Sequence, residues 1–323
     1  MSSSIYISNS LDVYKNLALE TYLLKKSTLE AILFLWKNSN TVVIGKNQNA
    51  YKECLLQNME KDGVKLARRP TGGGAVYHHL GNLNFTFISP SNPFSIDNNF
   101  KTIISALNNL NIDAKLNGRN DITVNNKKFS GNAFLKTKTR DLHHGTILIN
   151  EDLSILSKYL NVNPIKFKSK GVDSIKSRVI NLTTINQNIT AEKIVDELIK
   201  EHQKKYGLAI YKNLPKESEY LDIYSKYSSR EWIFGQNPNT NISFTTFLSS
   251  GEFSINIDIK NDKITYIKVY SDTLDTILPN TIESSLKGQK FLLSDIKKIL
   301  TSILGNISDA NLIATELENY LKA

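Results

Sequence analysis

The sequence predicts an α+β protein in two parts, a large N-terminal domain over residues 1–245 and a small α/β domain over residues 246–323. Three observations support this reading. Short apolar runs with strand character alternate with stretches of helical period from Ile5 to Tyr206. A Pro/Asn-rich stretch around Asn237-Pro238-Asn239 reads as a linker, and the boundary is placed just beyond it, near residue 245. The tail that follows reads as a hairpin and helices and holds no cluster of chemistry-bearing side chains.

The elements follow in order. Ile5 and Ile7 mark a first strand, and residues 9–25 a helix with Leu17, Glu20, Leu23 and Leu24 on one face and Asn9 or Ser10 as its cap. Ala31–Trp36 and residues 41–45 read as strands around the turn Lys37-Asn38-Ser39-Asn40. Residues 51–62 have a helical pattern that Gly63 stops. Val64, Lys65 and Leu66 are strand-like and lead into Arg68-Arg69-Pro70-Thr71-Gly72-Gly73-Gly74-Ala75-Val76-Tyr77-His78-His79, which exits through the alternating Leu83, Phe85 and Phe87. Residues 100–110 form an amphipathic helix on Ile103, Ile104 and Leu107. Three polar-to-apolar segments follow, beginning at Gly118, Lys127 and His143, the pattern of strands that deliver polar groups to a shared cleft. Residues 152–160 form a short helix, residues 166–178 a mobile basic loop, and Ala191–Tyr206 a helix capped by Thr190. The tail pairs residues 253–259 with 264–270 about an Asn261-Asp262 turn, then forms helices over Leu293–Leu304 and residues 309–322. There is no internal repeat.

With 40% hydrophobic and 22% charged residues among 323, the chain is globular in composition. No apolar run approaches the roughly 20 residues of a membrane span. The opening Met1-Ser2-Ser3-Ser4 lacks a charged region and an apolar core, so no signal peptide is expected. A single cysteine, Cys54, excludes an internal disulfide and favours the cytoplasm. The net charge of +9 and pI near 9.3 favour anionic partners such as nucleotides or acidic protein surfaces. The lysines are dispersed and not interleaved with aromatics, so nucleic-acid binding is not expected.

Three consecutive glycines let the chain turn sharply and approach another group closely. Exposed N–H groups beside Arg68 and Arg69 suit an anion, although a triple glycine alone is more often an ordinary turn. Neither a dinucleotide fingerprint nor a P-loop is present. Lys128 either ends a charged hairpin with Lys127 or places a fixed positive charge in the cleft. Asp121 is either a turn residue or a magnesium ligand. Neighbouring histidines on a strand point to opposite faces, so His78-His79 and His143-His144 offer at most one zinc ligand per pair, and no zinc is expected. Cys54, on a predicted helix, reads as a packing thiol and Trp36 as core, while Glu20 on a core-side face needs a partner.

These motifs resemble those of the two-domain bacterial lipoate-protein ligases along nearly the whole chain. The likeness rests on Arg68 to His78, Gly118-Arg119-Asn120-Asp121, Lys128-x-Ser130-Gly131-x-Ala133, His144-Gly145-Thr146, the stretch from Lys170-Gly171 to Arg178, and Trp232-x-Phe234-Gly235. The resemblance implies a large mixed β-sheet domain flanked by helices, of the biotin/lipoate ligase kind, with a C-terminal accessory domain. It implies that lipoate and MgATP form lipoyl-AMP, and that the lipoyl group then passes to a lysine of a lipoyl domain of a 2-oxoacid dehydrogenase E2 or of the glycine-cleavage H protein. Carried onto this chain, Lys128 is the catalytic lysine. Arg69, Gly74, Ala75, Val76, Tyr77, Asn120, Thr146, Lys170, Gly171 and Arg178 join it in binding ATP and lipoyl-AMP, and Asp121 holds Mg²⁺. Lipoate is bound by Glu20, Trp36, Arg69, Thr71, Gly72, Gly73, Gly74, His78, Lys128 and His144. A monomer is expected, with neither membrane nor nucleic acid as a partner. His79 stands where the family usually has an acidic residue, and Lys176 where arginine is commoner. The alternatives are an acyl transferase working through a cysteine and a non-catalytic acyl-carrier-binding paralogue.

Overall fold

The computed structural model describes residues 3–26, 31–91, 95–161, 179–235, 240, 242–261 and 263–322, with side chains as far as Asn319. The expected basic loop at 166–178 and the linker at 237–239 lie outside the described residues. The chain divides into two compact units.

The first unit comprises Met1–Val43, Glu53–Arg68 and Val76–Ile233. Its centre is an eight-stranded mixed sheet in the order β11 (Ile210–Tyr211), β1 (Ser3–Ile7), β2 (Ala31–Trp36), β6 (Asn82–Pro90), β10 (Arg140–Leu148), β9 (Lys127–Lys136), β8 (Asp121–Val124), β7 (Lys115–Asn117). β1 runs parallel to β11 and β2, and the remaining pairs are antiparallel. Strand alternation sends Ile5, Leu33, Leu35, Leu83, Phe85 and Phe87 to one face, where α4 (Ser95–Asn108) and α6 (Ala191–Tyr206) bury Phe100, Ile103, Leu107, Ile194 and Leu198 against them. Tyr6, Ile32, Phe34, Trp36 and Ile88 face the other way, toward α1 (Val13–Lys25) and α7 (Leu221–Ser228). A small second sheet orders β4 (Lys65–Arg68), β3 (Thr41–Ile44) and β5 (Val76–His78).

Several boundaries depart from expectation for local reasons. The cap of α1 is Asp12, not Asn9 or Ser10: its Oδ1 accepts the N–H groups of Tyr14 (2.8 Å) and Lys15 (3.1 Å). Ser10 instead accepts the N–H of Asp12. The expected helix over 51–62 is two short ones, α2 (Ala50–Glu53) and α3 (Leu56–Lys61). Cys54 breaks it by forming an antiparallel bridge with Leu160, and Leu55 N–H donates to the Tyr159 carbonyl. Only Leu156–Tyr159 of the expected 152–160 helix is helical (α5). α7 and α8 (Arg230–Phe234) were not anticipated.

The second unit comprises Ile44–Lys52, Arg69–Ala75 and Phe234–Ala323, so the glycine segment groups with the C-terminal elements. It holds an antiparallel meander of β12 (Ile242–Leu248), β13 (Gly251–Lys260) and β14 (Lys263–Ser271) with α9 (Leu278–Leu286), α10 (Leu293–Leu304) and α11 (Ile307–Lys322). Phe253, Ile255, Ile257, Ile282, Ile296, Leu300 and Leu317 form its core. The expected hairpin is β13–β14. β12 and α9 were missed, although Pro279 in the first turn of α9 is a helix-start residue. Among the described residues no helix is long and apolar enough to cross a membrane.

Candidate active site

On β6 the residues between the apolar ones, Asn82, Asn84 and Thr86, are polar yet buried. They lie on the α1 face. Register sets Thr86 between Phe34 on β2 and His144 on β10, and Asn84 between Trp36 and Thr146. α1 lays Glu20 over this row. Trp36 Nε1 donates to Thr86 Oγ1 at 3.1 Å, and the Thr86 hydroxyl donates to Glu20 Oε1 at 2.6 Å. His144 Nδ1 stands 2.8 Å from the same carboxylate oxygen. Glu20 is 0% exposed, and its Oε2 has no hydrogen-bond partner. Trp36, Glu20 and His144, singled out separately in the sequence, are therefore one hydrogen-bonded group, joined by Thr86.

Lys128 reaches the same face through an irregularity in β9. Ile122 pairs with Ser130 and Thr123 with Lys128, so Phe129 is an extra residue and the alternation resets across it. Phe129 is buried in the core under α4 and α6, and Ser130 receives a hydrogen bond from Asn132 Nδ2 (3.2 Å). Lys128 is thrown to the opposite side, over Gly131. A Cβ on Gly131 would stand 3.1 Å from both Cε and Nζ of the lysine. Lys128 Nζ pairs with Asp121 Oδ1 at 2.8 Å, each side chain about one-third exposed (37% and 35%). Gly131 N–H donates to Thr146 Oγ1 at 3.3 Å, which ties the lysine end to the row beginning at Asn84.

Asn120 and Asn132 exchange hydrogen bonds: Asn120 Nδ2 donates to the Asn132 carbonyl (2.9 Å) and Asn132 Nδ2 to the Asn120 carbonyl (3.0 Å). Asn132 Oδ1 then faces His143 Nε2 at 2.8 Å. His143 is fully buried among Phe85, Phe100 and Phe134. Burial, with His144 adjacent, pushes its pKa down to about 3, so the ring is neutral and Nε2 carries the donated proton. The two neighbouring histidines thus point to opposite faces, one structural and one in the row.

In the second unit, the Arg69 guanidinium donates to Thr71 Oγ1 (3.1 Å), the Gly72 carbonyl (2.7 Å) and the Gly74 carbonyl (2.8 Å). Thr71 is fully buried, and Lys46 N–H donates to its carbonyl. Gly73 has φ +91°. Gly72 lies flat on the turn after β14: a Cβ there would meet the Thr273 carbonyl oxygen at 2.3 Å, and Gly73 N–H donates to that oxygen at 3.0 Å. Arg69, Thr71, Gly72, Gly73 and Gly74 form one braced loop that continues into Ala75.

In the first unit, Arg68 is structural, donating to the Trp232 and Ile233 carbonyls. Val76, Tyr77 and His78 form β5. Tyr77 donates to Asn40 Oδ1 (3.0 Å), and burial pushes its hydroxyl up to about 12. His78 Nδ1 is 3.1 Å from Asn38 Nδ2. His79, the departure noted above, gives its main-chain N–H to Glu151 Oε1 (3.0 Å). Lys170, Gly171 and Arg178 lie outside the described residues. Cys54 is buried, and burial pushes its thiol up to about 12. Among the described residues no group of three or more His, Cys, Asp or Glu side chains is placed to hold a metal ion.

Sequence reasoning missed Thr86, Asn84 and Asn132. The signal for the first two was available: polar residues at every second position of a strand that is otherwise continuously buried.

Known proteins resemble this chain in sequence and fold. The model of the lipoyl protein ligase A/B catalytic domain matches residues 12–203, and that of the bacterial lipoate protein ligase C-terminus matches residues 237–321. A lipoate-protein ligase A of Bdellovibrio bacteriovorus is 36% identical over 98% of this chain and 97% of its own. The P. falciparum protein LipL1, solved in complex with lipoate, is 36% identical with a TM-score of 0.83 over 99% of each chain. A lipoate-protein ligase A bound with ATP is 28% identical with a TM-score of 0.64, covering 73% of this chain and 99% of its own.

Proposed function

The chain belongs to the bacterial lipoate-protein ligase family, and on that premise we propose how its residues perform an ATP-dependent ligation of lipoate to protein. The observation that carries the assignment is the lysine that the β9 bulge turns over Gly131. Joining a carboxylate to a phosphate brings two anions together, and a fixed ammonium lowers that barrier most where it is already positioned. Lys128 is such a group, at the open end of a row whose closed end is Glu20, Trp36 and His144. The lipoate carboxylate oxygen attacks the α-phosphorus of ATP, the bond to the β-phosphate breaks, and pyrophosphate leaves. A lysine amine of the acceptor then attacks the acyl carbonyl of lipoyl-AMP, forming an amide and releasing AMP and a proton. Lys128 bears on both charged centres, and Asp121 holds its ammonium until the substrates arrive.

Magnesium binds through one or two carboxylates plus substrate phosphates. Asp121, a carboxylate about one-third exposed and paired with Lys128, fits as the protein's share of that set, and the ion would neutralise phosphate charge. Arg69, Gly74, Ala75, Val76, Tyr77, Asn120 and Thr146 are assigned to ATP and the adenylate, with Lys170, Gly171 and Arg178. Glu20, Trp36, Arg69, Thr71, Gly72, Gly73, Gly74, His78 and His144 are assigned to lipoate. Acceptors are a lipoyl domain of an E2 subunit or the H protein, in the cytoplasm, with the ligase a monomer. Residues 1–245 serve as the catalytic part and 246–323 as the accessory part.

The buried, fully protonated Cys54 argues against a thiol-based acyl transferase. The test is Lys128→Ala with lipoate, ATP and magnesium. Pyrophosphate and lipoyl-AMP are lost while the melting temperature stays close to wild type; undiminished adenylation sinks the assignment.

A further inference from the structure

The group at the closed end of the row is asymmetric. Glu20 Oε1 takes both bonds, from Thr86 and His144, while Oε2 is buried with none. A carboxylate oxygen only accepts, and leaving one unsatisfied in the interior is costly. Whatever occupies this end is favoured if it brings a donor.

Register measures the distance from Lys128 to this end. Gly131 adjoins Thr146 one strand over, and His144 lies two residues further along β10. At about 4.8 Å per strand and about 3.4 Å per residue, the two ends are roughly 8 Å apart. That main-chain separation, to which the Lys128 and Glu20 side chains add their own reach, is of the order of an extended eight-carbon acyl chain. An acid laid along the row with its carboxylate at Lys128 runs toward Glu20. Resting on the ligase reading above, we propose that Glu20 Oε2 makes the site selective for the reduced, dithiol form of lipoate. A thiol of that form donates its S–H to the unpaired oxygen. The oxidised dithiolane offers only sulfur lone pairs, and octanoate offers no polar atom there. Thr86, itself held by Trp36, serves as a positioning residue, because its hydroxyl holds Oε1.

The experiment compares three acids on the wild-type protein: lipoate kept reduced under a phosphine, oxidised lipoate without reductant, and octanoate. Each is titrated with saturating ATP and magnesium, and pyrophosphate release is read. The dithiol shows a KM roughly five- to tenfold below that of oxidised lipoate, the effect of one net hydrogen bond, at similar kcat. In Glu20→Gln, where an amide takes the acceptor's place, the ratio shrinks to about twofold or less. Equal KM values in the wild type overturn the proposal, and so does a ratio that survives in Glu20→Gln. If that variant does not fold, the wild-type ratio decides alone. Pyrophosphate with none of the three acids would instead bring down the ligase reading on which the proposal rests.

Discussion

Replacing Gly131 by alanine separates the position of the Lys128 charge from the stability of the fold. The new methyl would stand 3.1 Å from the lysine Cε and Nζ. Comfortable carbon contacts begin at about 3.5 Å, so the side chain must retreat by roughly 0.5 Å or change rotamer. Both atoms end a flexible chain that is about one-third exposed, and the Asp121 pair lost in the process is worth about 0–1 kcal/mol. Alanine also restricts the unfolded chain, which restores about 0.4–1 kcal/mol. The two nearly cancel, and the melting temperature should stay within about 4 °C of wild type. Catalysis has no such compensation: a charge misplaced by about 1 Å can cost about 100-fold, so kcat for pyrophosphate release should fall about 10- to 100-fold. Gly145→Ala is the contrast. There a Cβ meets Phe85 Cζ at 2.5 Å, Asn132 Oδ1 at 2.6 Å and the Gly131 carbonyl at 2.9 Å, none of which can retreat to solvent. Its cost is about 1–3 kcal/mol of overpacking or more. Calorimetry and a pyrophosphate assay on both variants decide it. A Gly131→Ala protein with wild-type kcat, or one that melts as low as Gly145→Ala, refutes the placement of the ammonium.

Two further outcomes are expected. His202 is buried against Ser3, and burial pushes its pKa down from the ordinary 6.5 to about 4. The unfolded chain therefore binds a proton that the folded chain refuses, and this contribution to stability is intact above pH 6.5 and lost as pH falls toward 4. In urea melts between pH 7 and 4, His202→Gln should lose less stability than wild type, and parallel curves would contradict this. Cys54, its thiol pushed up to about 12, should resist iodoacetamide at pH 8 in the folded protein, and Cys54→Ser should retain adenylation within about twofold. Loss of adenylation on that change would revive the transferase alternative.

What the sequence revealed was local, and what it hid was pairing. The alternation of Leu83, Phe85 and Phe87 announces β6 and its buried face, and the opposite aim of His143 and His144 follows from strand geometry alone. Lys128 could be named from its motif, but not its direction: an extra residue in β9 becomes visible only when β8 is laid beside it. Glu20 is odd on a core-side helix face, yet Thr86, which links it to Trp36, lies on a strand far away in sequence. The break at Cys54 is likewise imposed from a distance, by Leu160. Asp12, not Asn9 or Ser10, caps α1, and its second carboxylate oxygen also meets Lys65 at 3.0 Å, a partner far away in sequence.

The bond from Gly73 to Thr273 runs from main chain to main chain, and the surface that Gly72 meets is peptide as well. These two contacts read no side chain on the C-terminal segment, although Gly73 also lies close to Leu274 Cδ2. The contact makes no demand on the side chain at position 273, which its own burial and the Asp275 N–H it accepts hold instead, whereas position 72 can hardly change. A C-terminal segment grafted from a divergent relative should therefore still be accepted, provided its turn keeps the same backbone shape. Compatibility in such chimeras would follow contour and not identity.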